Sequence, residues 1–191
     1  MDKGSQVRSI VRVIAAVILT MAGASFAGAG PLQDGIAAYQ RQSYAKAARL
    51  LRPLAERGNS QAQTYLGFMY EYGRGVPQNY VEAVNWYCLA AEQGHTQAQY
   101  LVGLIYDKGF GIPRDFIQAH KWLNLAAAHA PRKDREEWVR IRDAVASKMT
   151  VGQTAIAQRL AEEWRPKRLT RASIVVVGLP AAAPEVVVKV K

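Results

Sequence analysis

From Pro31 to Trp164 apolar residues recur at three- and four-residue intervals rather than in alternation, which predicts a succession of helices. From Ser43 to Gly58 the apolar positions Tyr44, Ala47, Ala48, Leu51, Leu54 and Ala55 form one helical stripe ending at a glycine suited to a C-terminal cap. Pro53 inside it predicts a bend, because proline cannot donate to the hydrogen-bond ladder. A shorter helix precedes it, from Pro31 to about Gln42. Four more follow: Ser60 to about Tyr72, Asn79 to about Gln93, Thr96 to about Lys108, and Asp115 to about His129. Each begins with a capping side chain three residues before Glu or Gln (Ser60 and Gln63, Asn79 and Glu82, Thr96 and Gln99, Asp115 and Gln118), the pattern of a capping box. After Pro131, Arg132 to Lys148 and Thr150 to Trp164 also read as helices, the last burying Ile156, Leu160 and Trp164.

The pattern repeats. Ala62 to Gly94 is matched 36 residues later by Ala98 to Ala130, and Ala55, Glu56 and Gly58 match Ala91, Glu92 and Gly94 at the same offset. A repeat of this period means stacked supersecondary units rather than one closed core. Ala62, Leu66, Met69 and Tyr70, with Ala98, Val102, Ile105 and Tyr106, give the first helix of each copy its packing stripe. Ala83, Trp86, Leu89 and Ala90, with Ala119, Trp122, Leu125 and Ala126, do so for the second. Gly67 and Gly103 interrupt helix interiors at a cost of roughly 1 kcal/mol each against alanine, which predicts that a neighbouring helix approaches closely there.

Taken together, Ala62, Leu66, Gly67 and Tyr70, the connector residues Gly73, Gly75 and Pro77, and then Ala83, Trp86, Ala90, Ala91 and Gly94 resemble the Sel1-like repeat family, a relative of the tetratricopeptide repeats. The second copy departs from the pattern only by Val102 for leucine and Ala130 for the terminal glycine. The resemblance implies an all-α fold, a short α-solenoid of stacked antiparallel helix pairs in a right-handed curve, whose concave face serves protein contacts. It transfers no catalytic residues.

Composition changes this picture mainly at the ends. Lys3, Arg8 and Arg12 precede the apolar run Val13 to Met21 and the small residues around Ala27, the pattern of a secretory signal peptide cleaved after Ala27 or Ala29, of which Ala27 is preferred. The organisation expected is a signal peptide over residues 1–27, helical repeats over 28–130, capping helices over 131–165, and a flexible basic and valine-rich tail over 166–191. Of the net charge of +10, residues 1–27 contribute +2 and Arg165 to Lys191 contribute +5, leaving +3 for the body. Charge held at the ends rather than on a folded surface disfavours nucleic acid as partner. It leaves peripheral contact of the tail with an anionic envelope surface, or strand addition to a partner, as further readings of that segment. Cys88 is the only cysteine, so no intramolecular disulfide forms, and a buried inert thiol is the expectation.

Candidate chemistry is sparse. Ser43-Tyr44-Ala45-Lys46 has the Ser-x-x-Lys spacing of an activated serine but lacks the companion motifs, and Ser43 sits where a helix cap belongs. The Gly-x-Gly connectors have neither the Lys-Ser/Thr nor the strand that phosphate binding needs. His95, His120 and His129 form no ligand motif, and no cofactor or metal is expected.

Function is therefore sought on the surface. Gln63, Thr64, Glu71 and Tyr72, with Gln99, Tyr100, Asp107 and Lys108, are the candidates to face the concave side and touch a partner, an unidentified protein or peptide. The copies differ at Thr64 against Tyr100, Tyr72 against Lys108, and Arg74 against Phe110, where specificity is expected to lie. The expected role is a non-catalytic interaction scaffold in the periplasm or outside the cell. The alternatives are an envelope hydrolase or binder of cell-wall fragments, and a membrane-associated structural factor.

Overall fold

The computed structural model describes residues 30–167, so the predicted signal peptide and all but the first two residues of the predicted tail lie outside the described residues. Among the described residues the chain forms eight helices and no strand: α1 (Pro31–Gln40), α2 (Tyr44–Glu56), α3 (Ser60–Tyr72), α4 (Tyr80–Glu92), α5 (Thr96–Lys108), α6 (Phe116–Ala128), α7 (Arg135–Ala146) and α8 (Val151–Glu163). Each helix packs on the next from α1 to α7, and α8 folds back onto α6. This is an α-solenoid of helix pairs closed at one end by α7 and α8.

The 36-residue offset governs the elements as well as the letters. α2, α4 and α6 begin at Tyr44, Tyr80 and Phe116, and α3 and α5 begin at Ser60 and Thr96. Of the repeat helices α1 to α6 only α1 is out of step, and its connector to α2 is correspondingly short.

Within each pair, a glycine of the first helix receives a large side chain of the second. A Cβ on Gly67 would collide with the Tyr87 ring, and one on Gly103 would lie 2.6 Å from Leu123 Cγ. Gly35 of α1 stands in the same relation to Leu51, 2.6 Å from its Cδ2. Leu51, Tyr87 and Leu123 occupy one repeat position and are fully buried. Backbones approach this closely only where no Cβ intervenes.

Helix starts follow the capping logic, with two corrections. Asn79 and Asp115 cap as expected, accepting from Glu82 N and Gln118 N, and Thr150 forms a full capping box with Gln153 at the start of α8. The caps of α3 and α5, however, are Asn59 and His95, one residue before Ser60 and Thr96. Asn59 Oδ1 accepts from Ala62 N at 2.8 Å, and His95 Nδ1 from Ala98 N at 3.3 Å. Gln63 and Gln99 are thereby released from the reciprocal half of a capping box and turn inward. Pro53 does not interrupt α2, which continues to Glu56, because the proline stands in the last turn.

At the far end, α8 buries Ala157 and Ala161, whereas Ile156 is 41% exposed and Leu160 only half-buried. The expected stripe is rotated by about one residue, since small side chains let α8 lie close against α6. Beyond α8 the chain stays docked: Lys167 N donates to Glu92 O at 2.8 Å and its Nζ pairs with Glu92 Oε2 at 3.1 Å. Trp164 Nε1 reaches the same carboxylate at 3.4 Å and its ring lies edge-on to Trp122. Pro166 and Lys167 therefore belong with the folded body rather than with a flexible tail.

A tyrosine-lined recess as the candidate functional site

A row of aromatic rings runs along the edge of the first helices. Tyr39 of α1 meets Tyr44 at the start of α2 and Tyr65 of α3, each at 5.3 Å between centroids and edge-to-face. Tyr65 continues the row to Phe68 at 6.4 Å, and Phe68 to Tyr87 at 5.5 Å. Tyr65, Phe68 and Tyr72 project together because they are three and four residues apart on α3. Edge-to-face contacts place the positive rim of one ring on the negative face of the next and hold the row rigid.

Gly73 ends α3 in the left-handed conformation with φ of 63° and turns the next residue, Arg74, back over this row. Arg74 Nη1 donates to the Tyr39 hydroxyl at 2.8 Å. Its guanidinium also lies 5.4 Å from the Tyr44 centroid and 5.0 Å from that of Tyr72, within cation–π range. At the opposite end stand Gln61, Thr64, His95 and Gln97, and the whole encloses a recess of about 490 Å³. A second recess of about 580 Å³ shares His95 and Gln97 and is bounded by Pro131, Asp134 and Trp138.

His95 joins the two recesses. Its Nδ1 caps α5 and lies 3.1 Å from Thr64 Oγ1, whose hydroxyl also reaches Ser60 O at 2.9 Å. Accepting from Ala98 N requires Nδ1 unprotonated. Burial pushes the imidazole pKa down, which favours that neutral form.

The residues expected at the partner face divide sharply. Tyr72, 55% exposed, and Thr64, largely buried at the recess floor, both line the cavity. Glu71 is not among the lining residues, and it accepts the Tyr87 hydroxyl at 2.6 Å. Gln63 and Gln99, each 2% exposed, lie inside the joints between repeats rather than on the surface. Their Nε2 groups donate to Ala55 O at 3.0 Å and Ala91 O at 3.3 Å, satisfying carbonyls at the C-terminal ends of α2 and α4.

In the second copy the C-terminal helices occupy the corresponding side chains. Tyr100 stacks on Trp138 at 4.6 Å between centroids, and the buried Asp107 pairs with Lys148 at 2.5 Å and Lys108 at 3.2 Å. Burial raises the Asp107 pKa, but the two lysines more than offset this and leave the carboxyl below its usual range. Lys108 remains exposed apart from this pair. Of the first-copy candidates Thr64 and Tyr72 thus line one recess, and of the second-copy candidates Tyr100 and Asp107 bind the cap.

Sequence reasoning singled out Arg74 but missed Tyr39, Tyr65, Phe68 and the pair Gln61 and Gln97. The last two are one repeat position 36 residues apart, and that recurrence of an exposed amide was the available signal. Elsewhere among the described residues no reactive constellation forms. Ser43 and Lys46 are both exposed, and Ser43 makes no side-chain cap bond. His120 is buried with Nδ1 unpartnered, and His129 Nδ1 bonds Leu125 O at 3.2 Å. The Cys88 thiol is buried and its pKa is pushed up to about 12, chiefly by desolvation, which leaves it protonated and inert. Among the described residues no group of three His, Cys, Asp or Glu side chains is placed to hold a metal ion.

This architecture is shared with known proteins. Solved structures that resemble it include the following two. One is a protective antigen of uropathogenic Escherichia coli strains with an SLR fold, 29% identical over 72% of this chain with a TM-score of 0.65. The other is a Sel1 repeat protein from Oxalobacter formigenes, 30% identical over 73% of the chain with a TM-score of 0.56. The chain spans 30% of the first and 56% of the second. No curated protein matches it. The Sel1 repeat profile matches residues 27–59, 60–95 and 96–130 in succession, the same three units keyed by Gly35, Gly67 and Gly103. The chain belongs to the Sel1 repeat family.

Proposed function

We propose that the chain is a non-catalytic adaptor of the cell envelope, exported by its N-terminal segment, that binds a protein or peptide along the first-helix face where the tyrosine-lined recess opens. Sel1 repeats generally mediate protein–protein interaction and are typically non-catalytic scaffolds. The observation that carries the finer reading is the row Tyr39, Tyr65, Phe68 and Tyr72 with Arg74 at its end. Tyrosine and arginine are the side chains most enriched where protein interfaces concentrate their affinity.

Two measurements test the reading. A photo-crosslinking residue at Tyr72 should capture a discrete partner in the native cell, whereas one at Arg49 on the exposed side of α2 should not; equal capture at both positions removes the recess from the proposal. The intact mass of the native protein should correspond to a chain beginning at or near Gly28. An unprocessed N-terminus would overturn export with cleavage.

A further inference from the structure

Arg74 is a cation held between aromatic rings. Among the described residues it pairs with no carboxylate: one N–H meets the Tyr39 hydroxyl, and the rings of Tyr44 and Tyr72 flank the guanidinium. The nearest acid in sequence, Glu71, accepts the Tyr87 hydroxyl and faces Tyr72, and it forms no ion pair with Arg74. Among the described residues no acidic side chain lines the recess. A guanidinium fixed by rings keeps its fork of donors pre-organised for a bidentate carboxylate, and little entropy remains to be lost on binding.

The rest of the recess has the shape of a peptide track. From Gln61 to Tyr72 along α3 is about 16 Å at the helical rise, the length of about five residues of extended chain. Tyr65 and Phe68 supply an apolar wall along that path. Gln61 and Gln97, one repeat apart, each present a carboxamide that both donates and accepts, as peptide backbone requires.

We propose that the recess binds an extended segment of a partner protein in which an Asp or Glu side chain, seated on Arg74, is followed or preceded by large apolar side chains packed on Tyr65 and Phe68. This deepens the peptide-binding reading above and rests on it. A side-chain carboxylate is favoured over a chain terminus because Arg74 stands on an inter-helix connector at the end of the track, where a bound chain continues past it into solvent. A glycan is disfavoured because a pyranose stacks on an open ring face, and here the rings abut one another edge to face.

The probe is a set of fluorescein-labelled, C-terminally amidated octapeptides with one Glu beside two positions drawn from Leu, Ile and Phe, read by anisotropy on the folded protein. Members of the set should bind, and their Gln counterparts should bind at least tenfold more weakly. Arg74→Ala should abolish that difference, and Arg74→Glu should shift preference to Lys-containing peptides. Because Arg74 also tethers Tyr39, Gln97→Ala serves as a variant that leaves the connector untouched. It should weaken Glu and Gln peptides by the same several-fold factor, with an unchanged melting curve.

Equal affinity for Glu and Gln peptides in the unaltered protein overturns the acidic preference while leaving peptide binding intact. A free C-terminal carboxylate that replaces Glu without loss overturns the side-chain source. No binding by any peptide overturns the inference, and if a muropeptide binds instead, the peptide-binding reading falls with it.

Discussion

Within the second unit Gln93 Nε2 donates to Gln63 Oε1 at 2.7 Å and steadies the side chain that couples to the preceding unit, whereas Gln99 Oε1, the equivalent atom one repeat later, is buried without a partner among the described residues. The difference lies at one position. Gln93 is followed 36 residues on by His129, which reproduces the bond to the preceding turn, Nδ1 to Leu125 O in place of Gln93 Nε2 to Leu89 O, but gives Gln99 no donor. His129→Gln should complete the second joint and raise stability by about 1 kcal/mol, measured as a shift in urea midpoint. Gln93→Leu should orphan Gln63 and lower stability by about 1–3 kcal/mol.

The surface candidates separate in the same experiment. Gln63→Ala and Gln99→Ala remove buried joint contacts and should lower the urea midpoint. Tyr72→Ala, at a largely exposed ring, should change stability by less than about 0.5 kcal/mol. A Tyr72→Ala loss of stability as large as that of Gln63→Ala would contradict the division between joint and surface.

Gly67→Ala gains helix propensity yet drives a methyl into the Tyr87 ring. Overpacking of this kind costs about 1–3 kcal/mol, so the net effect should be destabilising. In a double-mutant cycle, Tyr87→Ala should absorb much of that penalty, and strict additivity would show that the two side chains do not meet.

Acidification should loosen the start of α5. The folded His95 pKa is lowered by burial, so its contribution is complete above the unfolded value of about 6.5 and is lost as pH falls through the lower folded value. The loss should approach the worth of an N-cap, about 1 kcal/mol. His120, whose pKa is lowered by burial and then by Arg142, contributes in the same direction. His95→Asn, which restores the arrangement at Asn59, should therefore remove only part of the slope of melting temperature against pH below neutrality, while stability near pH 8 is retained.

The docked segment after α8 should matter to the repeats and not only to the cap. Truncation after Glu163 takes Trp164 and Lys167 from the buried Glu92 carboxylate and should cost about 1–3 kcal/mol. Glu92→Gln in the truncated chain should recover part of that loss, since a neutral amide tolerates burial better than an unpaired charge.

The helices were legible because each carries its own period and its own boundary residues, and the offset of 36 ties them together. Less legible was what depends on three dimensions. The first pair was found only by its second half, since Gly35 precedes Leu51 by 16 residues where Gly67 precedes Tyr87 by 20; a four-residue shortening of the connector hides the match. Gln63 and Gln99 read equally well as caps, surface amides or joint residues, and only their orientation decides among them. The recess draws Tyr39, Tyr65 and Arg74 from separate elements, and no spacing rule connects them. Arg74 stood out because it breaks the repeat, which is how a specificity residue differs from a stacking residue in a duplicated chain.

The two kinds of contact in the stack divide its labour. Gly35 with Leu51, Gly67 with Tyr87 and Gly103 with Leu123 each lie inside one unit, while the bonds from Gln63 to Ala55 and from Gln99 to Ala91 cross from one unit to the next. A unit thus carries its own lock and key and presents an interchangeable coupling at its border. Duplicating or deleting a unit leaves every internal fit intact and changes the number of couplings by one, so chains of different length are reachable in single genetic steps without refitting any core.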